Sequence, residues 1–284
     1  MTRNELQRLF GETLRSATST PADFEQLAQA VHDLYHSDPD NFRVHIKNRS
    51  GRVAESTGQK FDGEKFDLDM ARAFIADEAG FRGWGELIAA VKNGGVNGQP
   101  LLFRYAVAAL WRGDFTALEQ TIGPSTEFDS RIRDWFEKGY FANEQETLDE
   151  AFAAACWLGH AKTAEFLLDK GVDPYAGMRT GLSGFHWAAS SGKPEVIKML
   201  VRRKVPMEIK GMYDNTVLGQ ALYSATYEHT DDHAEIIETL IEGGAYVWPN
   251  TLEWWNDEPV PSAETKRRVA EALRTAERNK DSNG

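Results

Sequence analysis

Hydrophobic residues recur every three or four positions along most of the chain, a pattern typical of amphipathic helices. In the stretch that begins at residue 21, Phe24, Leu27 and Val31 form one apolar stripe with polar residues between them. Pro21 suits the first turn of a helix, and Pro39 cannot continue one. The pattern therefore predicts a helix that begins near Pro21 and ends before Pro39.

The helical pattern resumes after a polar stretch that contains several glycines. Residues 48–66 have few apolar positions, which predicts a long loop. Asp67 is then a candidate N-cap and Gly80 a candidate stop for the next helix, and a shorter helix is predicted from Trp84 to Lys92. We predict a helical N-terminal subdomain over residues 1–95, followed by a linker.

Between residues 99 and 249 the helical pattern repeats at a fixed interval. The segment "CWLGHAKTAEFLLDKGVDP" at 156–174 is followed 33 residues later by "ASSGKPEVIKMLVRRKVP", which aligns Gly159 with Gly192. Ser183 lies the same distance before Thr216. The interval is longer across the connection 124–146, which has room for a helical turn, and across an insertion at 226–233. Four helical pairs with this period indicate a solenoid, with residues 250–284 as a helical cap that ends in a polar tail.

These units resemble ankyrin repeats. The motifs that carry the resemblance are "SGFHWAASSG" around His186, "LLDKGVDP" near Gly171, and "LIEGGAYV" in the last unit. The resemblance implies stacked helix–loop–helix units in which His186 fixes the turn and Cys156 lies buried at a small-residue position. His160 is expected at the solvent-facing start of a helix. Separately, "DLDMARAFIADEAGFRGWGELIAAVKNG" resembles a helical segment that precedes ankyrin repeats in many bacterial proteins, which favours a bacterial origin.

The resemblance also points to a partner-binding surface. In ankyrin repeats the residues just before the interhelical glycine and those in the turns face the concave side of the stack, where Trp, Tyr and Arg are the residue types that dominate binding. The candidates are Trp111, Arg112, Trp157, Leu158 and Tyr223 on the helices, and Arg179, Leu182, Met212 and Tyr213 in the turns. The alternative is a purely structural role, which predicts that Trp111 and Trp157 are buried.

A second alternative is metal-dependent or enzymatic chemistry in the insertion. Residues 226–235 contain Glu228, His229, Asp231, Asp232, His233 and Glu235, which offer oxygen and nitrogen atoms to a metal or a basic partner, although a solvated acidic loop gives the same composition. His32 and His36 have the helical spacing of a metal pair but no third ligand in an evident position. The sequence contains no phosphate-binding loop, serine elbow or paired-histidine zinc motif, so we predict no catalysis and no cofactor.

Composition and charge narrow the class of partner. The formal net charge of −12 argues against nucleic acid and favours a basic protein partner. A single cysteine, the absence of a long apolar stretch and an N-terminus without a secretion signal predict a cytoplasmic protein that does not bind membranes. We predict an all-α protein: an ankyrin-type helical solenoid preceded by a helical N-terminal subdomain. Its expected role is that of an adaptor, a regulator or the neutralising partner of a toxin.

Overall fold

The computed structural model describes residues 2–37, 66–123, 125–175, 181–228, 230 and 232–281, together with Val44 and Ile46. In these residues it contains fifteen α-helices and no strand, which confirms the all-α prediction. The chain divides into two compact units, Met1–Tyr140 and Phe141–Gly284. No helix in the described ranges is both long and apolar enough to cross a membrane. Apart from Phe66, the predicted loop 48–66 lies outside the described residues.

The described residues of the first unit form seven helices. They are α1 (Arg3–Arg15), α2 (Pro21–Ser37), α3 (Leu68–Glu78), α4 (Trp84–Lys92), α5 (Leu101–Arg112), α6 (Phe115–Ile122) and α7 (Ser125–Glu137). Helix α3 begins as predicted, because the Asp67 side chain accepts a hydrogen bond from the Met70 N–H at 2.9 Å. Helix α7 fills most of the connection 124–146, where the sequence suggested only a turn.

Helix α5 is central to the packing of the first unit. It pairs with α6 and contacts α1 and α3, and the buried Tyr105 ring meets Phe10 of α1 edge-on with centroids 5.7 Å apart. The Tyr105 hydroxyl donates to the Ala117 carbonyl at 3.1 Å. These contacts show that α5 and α6 form a helical pair, as the sequence predicted for residues 101–122.

In the part of the second unit that the structure describes, there are eight helices. They are α8 (Gln145–Leu158), α9 (Ala161–Asp169), α10 (Gly184–Ser190), α11 (Pro194–Arg202), α12 (Val217–Tyr227), α13 (His233–Glu242), α14 (Thr251–Asp257) and α15 (Ala263–Asp281). Helices α8, α10 and α12 pack side by side in an inner row, and α9, α11, α13 and α15 form an outer row. This two-layer stack of helical pairs is a helical solenoid.

The turns within the helical pairs explain the 33-residue interval that repeats along this chain. Gly159 follows α8 with φ of 92°, and Gly192 follows α10 with φ of 68°, a left-handed conformation that favours glycine. The inner helices begin on hydroxyl caps: Ser183 accepts from the His186 N–H, and Thr216 accepts from the Gly219 N–H at 3.2 Å. The 33-residue interval therefore repeats one helix start and one helix stop.

Ion pairs join the helices of the outer row. Arg202 and Arg203 of α11 contact Glu165 and Asp169, which lie on α9, at 3.0 and 2.7 Å. Lys198 similarly bridges to Glu235 of α13 at 2.6 Å. Exposed pairs of this kind each contribute little to stability. Their main consequence is that several basic side chains of the second unit are engaged on the outer row.

Helix α12 is longer than its counterpart in the preceding pair. It has 11 residues, whereas α10 has 7, so the insertion at 226–233 begins by extending the inner helix. The extension adds about one turn. Tyr227 and Glu228 lie on and just after this added turn.

Candidate functional site

The structure separates the predicted partner-binding residues into three groups. Trp111, Trp157 and Leu158 are half-buried, so the prediction of fully buried tryptophans does not describe them. Arg112 is 12% exposed in its side chain and donates to the carbonyls of Asp77 and Glu78, both at 3.0 Å. These bonds engage its guanidinium within the first unit. Arg179 lies outside the described residues.

The remaining predicted residues lie together in the second unit. Tyr213 and Tyr223 are 73% and 51% exposed and line a groove with a volume of about 910 Å³. Leu182 is buried and contributes to the same groove. Met212 is exposed beside it, and its N–H donates to the Gly181 carbonyl at 2.7 Å, which joins successive turns of the solenoid. Three of the nine predicted residues, Leu182, Tyr213 and Tyr223, therefore line one groove, and their role in binding a partner stays a prediction.

We call this feature the aromatic groove, and it is bounded by three segments. The first segment carries Trp187 and Ser190 of α10. The second, which we call the floor, lies within residues 213–228, and the third, which we call the far wall, is the segment 246–254. Trp187, Tyr213, Tyr223, Tyr246, Trp248 and Trp254 line it. Most of these rings remain well exposed, and tryptophan and tyrosine in this setting are typical of protein-binding surfaces.

The far wall is held by residues that alternate between core and groove. Ala245 and Val247 are buried, whereas Tyr246 and Trp248 point outward at 43% and 55% exposure. Their two rings contact each other edge-on with centroids 4.9 Å apart. The Tyr246 N–H donates to Glu208 at 2.8 Å, which fixes the start of the wall.

Two adjacent tryptophans complete the wall on α14. Trp255 is fully buried, and its Nε1–H donates to the Lys266 carbonyl of α15 at 3.0 Å. Trp254 is 39% exposed and lines the groove. The buried ring therefore anchors α14 on α15 and holds the exposed ring at the groove.

A chain of hydrogen bonds runs along the floor and ends on a carboxylate. Asn215 Nδ2 donates to Gln220 Oε1 at 2.6 Å, Gln220 Nε2 donates to Ser224 Oγ at 3.2 Å, and Ser224 Oγ donates to Glu228 Oε2 at 2.8 Å. Ser190 Oγ donates to the same oxygen at 3.0 Å. The chain positions Glu228 at the end of α12, with both hydroxyls on one of its two oxygens.

Two tyrosines of α12 lie beside this carboxylate. The rings of Tyr223 and Tyr227 are 4.8 Å apart between centroids, and Tyr227 is 57% exposed. The Tyr227 hydroxyl donates to Glu258 Oε2 at 3.0 Å, and this bond raises the pKa of Tyr227. Aromatic faces and carboxylates thus share this end of the groove.

The three histidines that the structure describes in the second unit, His160, His186 and His233, are buried. His186 is buried, accepts from Ser183 Oγ at 2.8 Å and donates through Nε2 to the Asn215 carbonyl at 3.1 Å, as the resemblance implied. His160 is 6% exposed, so its expected solvent-facing position is wrong. Cys156 is buried as expected, and burial raises the pKa of its thiol.

The insertion gives no support to the metal alternative in the part that the structure describes. His233 is fully buried; Nδ1 accepts from the Thr230 N–H at 3.0 Å, and Nε2 donates to the Ser190 carbonyl at 3.3 Å. His36 likewise contacts the Phe66 carbonyl at 2.9 Å. No group of three potential metal ligands occurs among the described residues, and His229 and Asp231 lie outside them.

Comparison with known families agrees with the stacked pairs of the second unit. The family model described as ankyrin repeats matches residues 151–251 in three copies. Residues 151–251 are an ankyrin repeat array. No curated protein matches the chain. The helical pair at 101–122 lies outside the matched ankyrin range, so its assignment as a fourth repeat stays a prediction.

Sequence reasoning missed four of the six aromatic residues that line the aromatic groove, namely Trp187, Tyr246, Trp248 and Trp254. Tyr246, Trp248 and Trp254 follow the last repeated helix, where no periodic position predicts which way a side chain faces. The available signal was the local density of tryptophan, because Trp248, Trp254 and Trp255 fall within eight consecutive residues of a chain that has 8 tryptophans. Glu228 was predicted only as part of an acidic insertion that could contact a metal or a basic partner, because the sequence does not show that it lies at the end of α12.

Proposed function

We propose that the chain is a non-catalytic binding module whose aromatic groove holds a segment of another protein. Ankyrin repeats suggest a protein–protein interaction module, and the groove is the observation that supports this place of contact. Six aromatic side chains line it, and the exposed ones would lose their contact with water when a partner binds. Its volume and open aromatic rim suit several residues of an extended polypeptide.

The proposed partner is basic, and the proposed location is the cytoplasm. The net charge of −12 supports the first statement, because an acidic protein attracts basic partners and repels acidic ones. The single, buried cysteine supports the second. The finer role, that of an adaptor, a regulator or a toxin-neutralising partner, stays a prediction, as does the bacterial origin.

Photo-crosslinking tests the groove as the binding surface. A photoreactive phenylalanine analogue replaces Tyr223 in the groove or, as a matched control, Glu195, whose side chain is 74% exposed on the outer row. We expect a discrete crosslinked protein from cells with the probe at Tyr223 and none with the probe at Glu195. Equal crosslinking at both positions, or none at Tyr223 alongside crosslinks from probes at Trp111 or Trp157, would place the contact elsewhere.

A further inference from the structure

We infer that the groove selects an arginine side chain of the bound segment, which seats on Tyr223 and bonds to Glu228. This inference rests on the proposed function and adds the chemistry that the groove recognises. The contacts of Glu228, the charges of the lining residues and the placement of the rings each support it.

The first support is an acceptor left open by the hydrogen-bond chain on the floor. Ser190 and Ser224 both donate to Glu228 Oε2, whereas Oε1 has no partner among the described residues. At the other end of this row of hydrogen bonds, the buried Asn215 Oδ1 accepts no hydrogen bond from the described residues. The floor therefore presents open hydrogen-bond acceptors, and a guanidinium group supplies donors for them.

The second support is the sign of the charge. Glu228 is the only charged residue among the described residues that line the groove. Basic residues of the outer row, Lys198, Arg202 and Arg203, are paired with other carboxylates. A cation on the incoming segment would therefore meet a carboxylate that no charged residue of the described groove lining compensates.

The third support is the position of the aromatic rings. Tyr223 and Glu228 both line the groove, and Tyr227 packs 4.8 Å from Tyr223 on the same helix. A flat guanidinium can stack on a tyrosine face while it donates from its edge to a carboxylate, whereas a lysine ammonium has no flat face to stack. The arrangement thus favours arginine over lysine.

Peptide selection on the full-length chain tests the inference. Peptides are selected from a random display library, and the enriched ones are synthesised for calorimetry. We expect arginine in the consensus. We also expect the affinity to fall about tenfold in the Glu228→Gln variant, because this change removes the charge and keeps an oxygen for the two serines. Glu195→Gln is the matched control and should leave the affinity unchanged.

A second pair of variants separates stacking from simple bulk. Tyr223→Phe keeps the aromatic face and should retain affinity within about twofold, whereas Tyr223→Leu should weaken binding about fivefold. Replacing the peptide arginine by lysine should weaken binding as well. The inference is overturned by a consensus without arginine, by lysine binding equally well, or by arginine peptides that Glu228→Gln binds unchanged.

A selection without any consensus also overturns the arginine assignment but leaves the proposed function to the crosslinking experiment. A partner crosslinked at Tyr223 with no arginine dependence would mean that the groove binds a protein by its aromatic surface alone. If the crosslink at Tyr223 is also missing, the proposed function fails with it.

Discussion

Two buried histidines each use both ring nitrogens to join neighbouring segments of the second unit. His186 joins the Ser183 hydroxyl to the carbonyl of Asn215 in the next turn, and His233 joins the Thr230 N–H to the carbonyl of Ser190 in the previous repeat. In both rings one nitrogen accepts and the other donates, which requires the neutral form. The fold therefore depends on imidazoles that stay uncharged.

The stability of the protein should fall in mild acid because of His186. Burial lowers the pKa of His186 below its ordinary value of 6.5, so the unfolded chain takes up this proton before the folded one does. The stabilisation is present above about pH 6.5 and is lost as the pH falls through that value toward the folded pKa. We expect the urea midpoint to drop between about pH 7.5 and about pH 5.5.

The His186→Gln variant isolates this contribution. It should be less stable than the wild type at pH near 7.5 by about 1–3 kcal/mol, because a buried hydrogen bond is lost or weakened. The difference between the two proteins should shrink as the pH falls. A gap that stays constant over the same pH range would contradict the role assigned to the neutral ring.

At the scale of elements, the interhelical turns set how closely successive repeats approach. Gly192 follows α10 with a positive φ, and a Cβ there would lie 2.4 Å from Thr230 Oγ1 of the next repeat. Gly171 follows α9 with φ of 86°, and a Cβ there would meet nothing within 4 Å. The two glycines share a backbone conformation and differ in their surroundings.

Because of this difference, alanine substitutions at the two glycines form a matched pair that separates backbone strain from steric conflict. Gly171→Ala should cost about 1 kcal/mol from backbone strain alone. Gly192→Ala should cost about 2 kcal/mol or more, because the strain is joined by a steric conflict with Thr230. Chemical denaturation of both variants measures the difference. Equal losses would mean that the repeats separate freely at this turn.

The sequence predicted elements wherever a period or a cap recurs. The 33-residue interval located the helical pairs and the positive-φ glycines, and Asp67 and Trp84 marked helix starts that the structure contains. Helix caps and glycine turns depend on a few neighbouring residues, so they can be recognised from short stretches of sequence. The same is true of the turn histidine, which the family resemblance placed correctly.

The groove depended on contacts that no local pattern encodes. Tyr223 was predicted because it aligns with Ser190 in the repeat, but Tyr227 and Glu228 lie within the insertion, which has no counterpart in the preceding repeat. Trp254 and Trp255 are adjacent and aromatic, yet one faces the groove and the other is buried against α15. The packing of α14 on α15 determines which of the two rings is buried, and both helices lie outside the repeats.

At the scale of the whole molecule, the chain consists of two units that each have a buried core. Phe24, Leu27 and Leu118 belong to the first core, and Phe152 and Ile197 to the second. The groove, its wall and its polar floor all lie in the second unit. A unit with its own core can fold as a domain.

The fragment 141–284 should therefore fold alone. We expect a helical far-ultraviolet circular dichroism spectrum and a single cooperative unfolding transition, because three repeats and the α14–α15 cap bury a continuous core. It should also bind the selected peptides with the affinity of the full chain. A fragment that is helical but unfolds without cooperativity would show that the second core is incomplete.

The terminal segment of the solenoid has a consequence for engineering. Helices α14 and α15 cover the end of the array, and the segment that leads into them is also a wall of the groove. In a modular array a generic terminal repeat can be grafted onto either end without loss. Here such a graft in place of residues 246–281 would preserve the repeats and delete Tyr246, Trp248 and Trp254. The segment that caps the repeat array thus also lines the aromatic groove, so the cap cannot be replaced without changing the groove.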